Sequence, residues 1–277
     1  MGKLRITIND VINIDYELAR KNIEKFIKNE LENSSRKGYV IGLSGGVDSA
    51  TAYYLAAEAI GIENVIALIM PDINVTPKED INDAKDLVKK IGGQMHIIDI
   101  SPIVEVYKST LPIYQETDEV PLGNIRARIR MTILYYYANK MSRLVLGTGD
   151  RSESFIGYFT KYGDGGVDIL PISPLLKSQV RKLAQKLGVP DNIALKPSSP
   201  RLWSGQMAEK ELGISYDQID LIIYSVIDKG YSIKEASELT GISVDVFEKV
   251  FKMNKDSEHK RVLPKSIEVD KVIKYLS

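Results

Sequence analysis

The 277-residue chain carries 37 basic and 37 acidic residues, so its formal charge at pH 7 is zero, which excludes the basic excess of a dedicated nucleic-acid binder. It contains no cysteine, which excludes disulfides, thiolate nucleophiles, Cys-ligated zinc and iron–sulfur clusters together. With only His96 and His259 a three-histidine metal site is excluded too, while 44% hydrophobic residues can supply a core.

The opening stretch to Arg20 interrupts every apolar run with charge, so neither a signal-peptide core nor a membrane span can be drawn, and a soluble cytoplasmic chain with no membrane segment is expected. Helical spacing of Leu18, Ile23, Phe26 and Ile27 predicts a helix from Asp15 to Leu31. Tyr39 to Leu43 reads as a strand, followed by a Ser-Gly-Gly turn and a helix from Ser49 to Ile60. The unit repeats as a strand at Asn64 to Met70, a helix at Pro77 to Ile91 with Pro77 in its first turn, and a strand at Gln94 to Ile100, where His96 reads as structural. Nearly continuous apolar strands alternating with helices predict a doubly wound parallel α/β sheet of Rossmann-like type.

Helices at Ile103 to Glu116 and Asn124 to Met141 are expected before a fourth strand at Arg143 to Leu146. Ser154 to Asp168 has no period and is rich in Gly and aromatics, the signature of a structured functional loop. Leu175 to Leu187 is amphipathic and stops at Gly188-Val189-Pro190. Lys196 to Gly213 holds two Pro and two Gly and reads as a mobile surface segment. Short helices at Tyr216 to Lys229, Ile233 to Leu239 and Val244 to Lys252 complete one domain with a helical C-terminal part.

Residues Gly42, Leu43, Ser44, Gly45, Gly46, Val47, Asp48 and Ser49 join the first strand to its helix. The glycines let backbone N–H groups converge on an anion, the serines add hydroxyl donors, and the helix contributes its positive end. No Lys follows the glycines, so this is not the GxxxxGK[ST] loop. A carboxylate in such a loop repels phosphate unless a cation intervenes, so Asp48 predicts Mg²⁺. The loop resembles the SGGxDS loop of the N-type ATP pyrophosphatases, which split ATP between the α and β phosphates, adenylylate a substrate oxygen and release pyrophosphate.

Further motifs narrow the resemblance. Gly147-Thr148-Gly149-Asp150-Arg151-Ser152-Glu153, the run from Gly157 to Asp168, Gly123 to Arg128, Glu211 to Asp220 and Glu258-His259-Lys260-Arg261 are similar, in order and along the whole chain, to the ammonia-dependent NAD synthetases. The adenine nucleotide alpha hydrolase-like core of that family is thereby expected. Thr148 and Glu153 follow the fourth strand at its carboxyl end, where open α/β sheets place their ligands and where the first loop also opens, so Glu153 can join Asp48 around one Mg²⁺. The resemblance makes both metal ligands and catalytic residues and assigns Thr148, Lys177 and Ser199, with the loop, to ATP as cosubstrate. It assigns Arg128, Lys161, Asp168, His259 and Lys260 to deamido-NAD. Lys177 opens a helix, an unfavourable place for a cation, and that mismatch itself suggests service to a phosphate. Arg126, Arg128 and Arg130 fall two apart, so the three cannot share one helix face.

The expected reaction is amidation of deamido-NAD by ammonia through an acyl adenylate, giving NAD, AMP and pyrophosphate. The nitrilase-like glutaminase domain of some relatives needs a Cys, so ammonia is expected from solution or from a separate protein. The resemblance also implies a homodimer with the dinucleotide at its interface. One departure stands out: a Pro-Ser-Ala-Gly-Leu-Trp type stretch followed by a hydroxyl residue and an acid is replaced by Ser198-Ser199-Pro200-Arg201-Leu202-Trp203 and later Met207-Ala208. Competing readings are a tRNA-modifying pyrophosphatase of the lysidine type, disfavoured by zero net charge, and a non-catalytic nucleotide-binding module, disfavoured by two metal-binding acids.

Overall fold

The computed structural model describes residues 5–273; the first four residues of the charged opening stretch lie outside them. Strands β1 (Tyr39–Gly42), β2 (Val65–Ile69), β3 (Gln94–Ile97) and β4 (Leu144–Leu146) form one parallel sheet in the order β3-β2-β1-β4. Alternation along the strands feeds two cores. Tyr39, Ile41, Val65, Ala67 and Ile69 pack with helices α2 (Tyr16–Ser34), α3 (Val47–Ile60), α4 (Lys78–Lys90) and α8 (Lys177–Lys186). Val40, Ile66, Leu68 and Val145 face the other way, onto α5 (Ser101–Thr110) and α6 (Glu119–Met141). This is the doubly wound arrangement expected from the sequence.

A third core joins α1 (Ile8–Val11), α7 (Arg151–Ile156), α10 (Ala208–Leu212), α11 (Tyr216–Ile223), α12 (Ile233–Thr240) and α13 (Val244–Asp256) around Tyr216, Phe247 and Val250. Ser215 and Ser232 start α11 and α12 with reciprocal capping by Gln218 and Glu235. The four-residue α1 and α9 (Asp191–Ala194) have no counterpart in the periodicity, being too short to show one. No helix among the described residues is long and apolar enough to cross a membrane.

Several boundaries differ from the sequence reading. Pro77 is the N-cap of α4, ahead of its first turn. β3 ends at Ile97 and is half-exposed because it is an edge strand with one neighbour. His96 stands there against Tyr137, ring centroids 5.2 Å apart. α6 starts five residues before Asn124: Pro121 falls in the first turn, where its missing N–H costs nothing. Gly123 inside it breaks no helix; a Cβ there would stand 2.9 Å from the Leu202 Cβ, so the glycine admits a close approach of the 196–207 segment. Ser154 to Ile156 belong to α7, leaving turns only after Gly157.

The segment read as mobile is tied down. Arg126 Nη1 donates to the Leu202 carbonyl at 2.8 Å, Leu202 N to Gln206 Oε1 at 2.8 Å, and Arg201 Nε to Asp80 Oδ2 at 2.8 Å. Polar residues and prolines that lack periodicity are here fixed by partners distant in sequence.

Gly157 ends α7 in a left-handed conformation (φ 69°), and a Cβ there would lie 2.1 Å from the Ser257 Cβ at the end of α13. Gly157→Ala is therefore expected to cost at least about 2 kcal/mol in denaturant unfolding. An unchanged midpoint would contradict this packing of α7 against α13.

Candidate active site

The loops after β1 and β4 open side by side where the chain order reverses, the position at which open α/β sheets bind ligands. Between them and the 196–207 segment lies a pocket of about 400 Å³. The β1 loop braces itself: Ser44 N donates to Ser49 Oγ at 3.2 Å, and Ser49 Oγ donates to the Gly46 carbonyl at 3.1 Å. Gly45 (φ 80°) is required here, since a Cβ would stand 2.3 Å from the Asp80 carbonyl oxygen. α3 begins at Val47, two residues earlier than expected, so Asp48 and Ser49 lie in its first turn beside the positive helix end.

At the far side of the loop the side chain of Lys177 is fully buried, and its Nζ lies 2.7 Å from Asp48 Oδ2, 2.8 Å from Asp150 Oδ2 and 2.8 Å from Glu153 Oε1. The Tyr216 ring closes the cage, its centroid 5.0 Å from the ammonium. The mismatch at the start of α8 resolves locally. Asp220 accepts from Ser178 N at 2.8 Å and from Ser152 Oγ at 2.5 Å, setting a carboxylate at the positive helix end. Lys177 thus reaches inward to acids rather than outward, and the pocket wall presents Asp48 and Glu153 instead.

Three carboxylates against one ammonium leave two formal negative charges. Burial pushes the Asp150 carboxyl up to about 6, although Lys177 pulls the other way. Burial likewise raises Glu153 well above the usual carboxylate range. For Lys177 burial works against the charge, but the three acids outweigh it and hold the ammonium well above its ordinary value. The cluster is short of positive charge, and carboxylate oxygens of all three acids lie within 4.8 Å of one another. Asp48 Oδ1 is buried with no hydrogen-bond partner.

The sequence reading missed Asp150 as part of this cluster. The available signal was its spacing: as N-cap of α7 it accepts from Glu153 N at 2.8 Å, which sets two carboxylates on one helical turn. It also missed the tie at the 196–207 segment, where Lys196 Nζ meets Asp80 at 2.9 Å and also bonds Asp83 and the Gly45 carbonyl.

Of the other expected residues, Thr148, Ser199 and Lys260 border the pocket with residues 42–49. The Ser199 hydroxyl donates to the Gln206 carbonyl at 2.5 Å. Lys260 Nζ donates to the Gly157 and Phe159 carbonyls at 2.8 and 2.9 Å and lies over the Phe159 ring. Arg128, Lys161, Asp168 and His259 do not line the pocket. Arg128 is exposed and donates to the Lys161 carbonyl. Both Asp168 oxygens are engaged, one by Val145 N at 2.7 Å and one by the Tyr135 hydroxyl at 3.1 Å. Arg128 and Tyr135 are seven apart and share one face of α6, so this second group gathers outside the pocket. His259 is exposed in the 3₁₀ turn Glu258–Lys260.

Fold and cleft together define a doubly wound α/β protein with a glycine-rich loop beside an acidic cluster at the switch point. The model of the family described as NAD synthase matches residues 19–264, and the chain belongs to that family. It is 54% identical over 261 residues to the NH₃-dependent NAD⁺ synthetase of Hyperthermus butylicus, covering 94% of each chain. Among solved structures it is similar to the NMN synthetase of Francisella tularensis (34% identity, TM-score 0.81, covering 92% of this chain and 99% of that one). It is also similar to the NH₃-dependent NAD synthetase of Campylobacter jejuni (29% identity, TM-score 0.78, covering 92% and 100%).

Replacing the central cation tests the cluster. Lys177→Met removes the shared partner of one buried and two partly buried acids and is expected to cost about 3–5 kcal/mol in denaturant unfolding. A loss below about 1 kcal/mol would show that the acids do not depend on Lys177.

Proposed function

We propose that the protein catalyses the ATP-dependent amidation of deamido-NAD by ammonia, with the reaction in the cytoplasm. The single observation that carries this reading is the acid cluster around Lys177 facing the β1 loop across one pocket. It puts donors for a nucleotide's phosphates beside a surplus of carboxylate charge. The 54% identity to an NH₃-dependent NAD⁺ synthetase supports the choice of substrate.

A carboxylate is a poor acceptor for ammonia because oxide would have to leave. The nicotinate carboxylate oxygen attacks the α-phosphorus of ATP, and the bond to pyrophosphate breaks. Ammonia then attacks the acyl carbon, AMP leaves with the bonding pair, and the surplus proton passes to solvent. In this scheme the N–H groups of Gly45 and of residues 47–49 hold phosphate oxygens, and the positive end of α3 stabilises their charge. Thr148 offers a hydroxyl and Ser199 a hydroxyl oxygen at the pocket wall, and positioning supplies the rate without a covalent nucleophile.

The donor set fits Mg²⁺: hard carboxylate oxygens, a charge deficit and the orphaned Asp48 Oδ1. Asp48 and Glu153 would hold the ion, while Asp150 stays with Lys177. When bound, Mg²⁺ offsets charge on the departing pyrophosphate.

Arg128 on the outer face of α6, Lys161 and Asp168 in the turns beside it, and His259 and Lys260 are proposed to hold deamido-NAD, which would extend beyond the pocket. Exposed Val106, Tyr107, Val120 and Tyr136 on α5 and α6 support a homodimer through this side. A mononucleotide acceptor is the second reading, favoured by the likeness to an NMN synthetase.

Purified protein with ATP, Mg²⁺ and ammonium is expected to form NAD and AMP in equal amounts from deamido-NAD, and nothing with glutamine in place of ammonium. Asp48→Asn is expected to lower turnover at least about 100-fold while remaining folded. AMP formed without NAD would refute the acceptor. Faster turnover with nicotinate mononucleotide than with the dinucleotide would favour the second reading.

A further inference from the structure

Four cations around the pocket are neutralised by carboxylates. Lys177 has its three acids, Lys196 has Asp80 and Asp83, Arg201 has Asp80, and Arg126 has Asp72 at 2.7 Å. Arg130 is different. It lies one turn along α6 from Arg126, so both turn to the same side of the helix, and it forms part of the pocket wall. Its Nε donates to the Met70 carbonyl at 2.9 Å, just past the end of β2. Among the described residues no carboxylate forms an ion pair with it and no protein acceptor takes its two terminal nitrogens. The nearby Asp72 is spent on Arg126 and on Ser101, whose hydroxyl donates to it at 3.0 Å.

A half-buried guanidinium with no carboxylate in direct contact is costly: burial pulls Arg130 down to about 10, although Asp72 and Asp164 pull the other way from a distance, and it is still charged at neutral pH. The bond to Met70 fixes its orientation and uses only one of five N–H donors. The edge formed by the two terminal nitrogens remains, and that edge matches two oxygens of a phosphate or carboxylate.

We infer that Arg130 receives an anionic oxygen, of phosphate or carboxylate, from a nucleotide substrate in this pocket. The assignment rests on the reading of the pocket as the site of ATP and deamido-NAD. It concerns a different residue from Arg128, which faces outward on the same helix. Binding the anion supplies the direct ion-pair partner that Arg126 and Arg201 have and Arg130 lacks among the described residues, so affinity and charge balance are obtained together.

The test measures calorimetric dissociation constants of ATP, deamido-NAD and NAD for the wild type and for Arg130→Gln, with a thermal melt of each protein. Arg130→Gln is expected to weaken one class of ligand about 10- to 100-fold, the size of a lost hydrogen bond to a charged group. Weakening of ATP alone identifies a phosphate of ATP. Weakening of deamido-NAD but not NAD identifies the carboxylate, and weakening of both dinucleotides identifies their pyrophosphate. Affinities all within twofold of wild type overturn the assignment, and so does an equal loss for all three ligands that tracks a lowered Tm. If Arg130→Gln does not fold, Arg130→Lys is read in the same way; it keeps the charge without the fork, and unchanged affinities there overturn the assignment. Wild-type protein that binds none of the three ligands would refute the reading of the pocket instead.

Discussion

The buried ammonium of Lys177 is the point through which the architecture and the site are joined. Its three partners come from α3, from the N-cap of α7 and from within α7, and Lys177 itself begins α8. One cation therefore sets the spacing of three helices that enter from different parts of the chain. The arrangement is conditional in the way buried ion clusters are: each acid tolerates burial only while the ammonium stays, and removing the centre leaves uncompensated charge. The Tyr216 ring over the ammonium extends the same constraint into the C-terminal helical core.

A second set of ties closes the pocket from above. Asp72 holds Arg126 from the end of β2, Arg126 holds the Leu202 carbonyl, and Asp80 holds both Lys196 and Arg201. Gly45 and Gly123 are the two points where backbone must approach this frame, and both lack the Cβ that would obstruct it. The pocket is thus shaped by charged groups that are mutually satisfied, against which the few unsatisfied ones stand out: the acid cluster short of positive charge, the orphaned Asp48 Oδ1 and the unpaired fork of Arg130. Ligand binding is where such imbalances are resolved, and the chemistry proposed for the site draws on all three.

Much of this was legible in the sequence. Parallel strands separated by amphipathic helices, and a glycine-rich loop with an internal acid, are local patterns and survive without knowledge of partners. Lys177 was visible as an anomaly at a helix start, but not its resolution, because its partners lie 129 and 24 residues away for Asp48 and Glu153. Asp150 has no legible role in the sequence, since a capping Asp and a cluster ligand look alike until the third dimension separates its two oxygens. The 196–213 segment looked mobile because prolines and glycines carry no period; its order comes from Arg126 and Asp80. Arg201 departs from the family pattern and adopts a left-handed conformation (φ 51°), held there by its ion pair with Asp80.

Asp48 and Glu153 form the outward face of an acid cluster that lacks positive charge, and on the function proposed above this face would take up a divalent cation. Thermal unfolding of the ligand-free protein in graded MgCl₂ tests it most directly. A ligand that binds only the folded state at 100 times its Kd stabilises by about 2.7 kcal/mol, so the wild-type Tm is expected to climb with Mg²⁺ and to reach a concentration-dependent rise of several degrees. In Asp48→Asn that rise is expected to flatten. An equal rise in both proteins, or none in the wild type, would contradict the account.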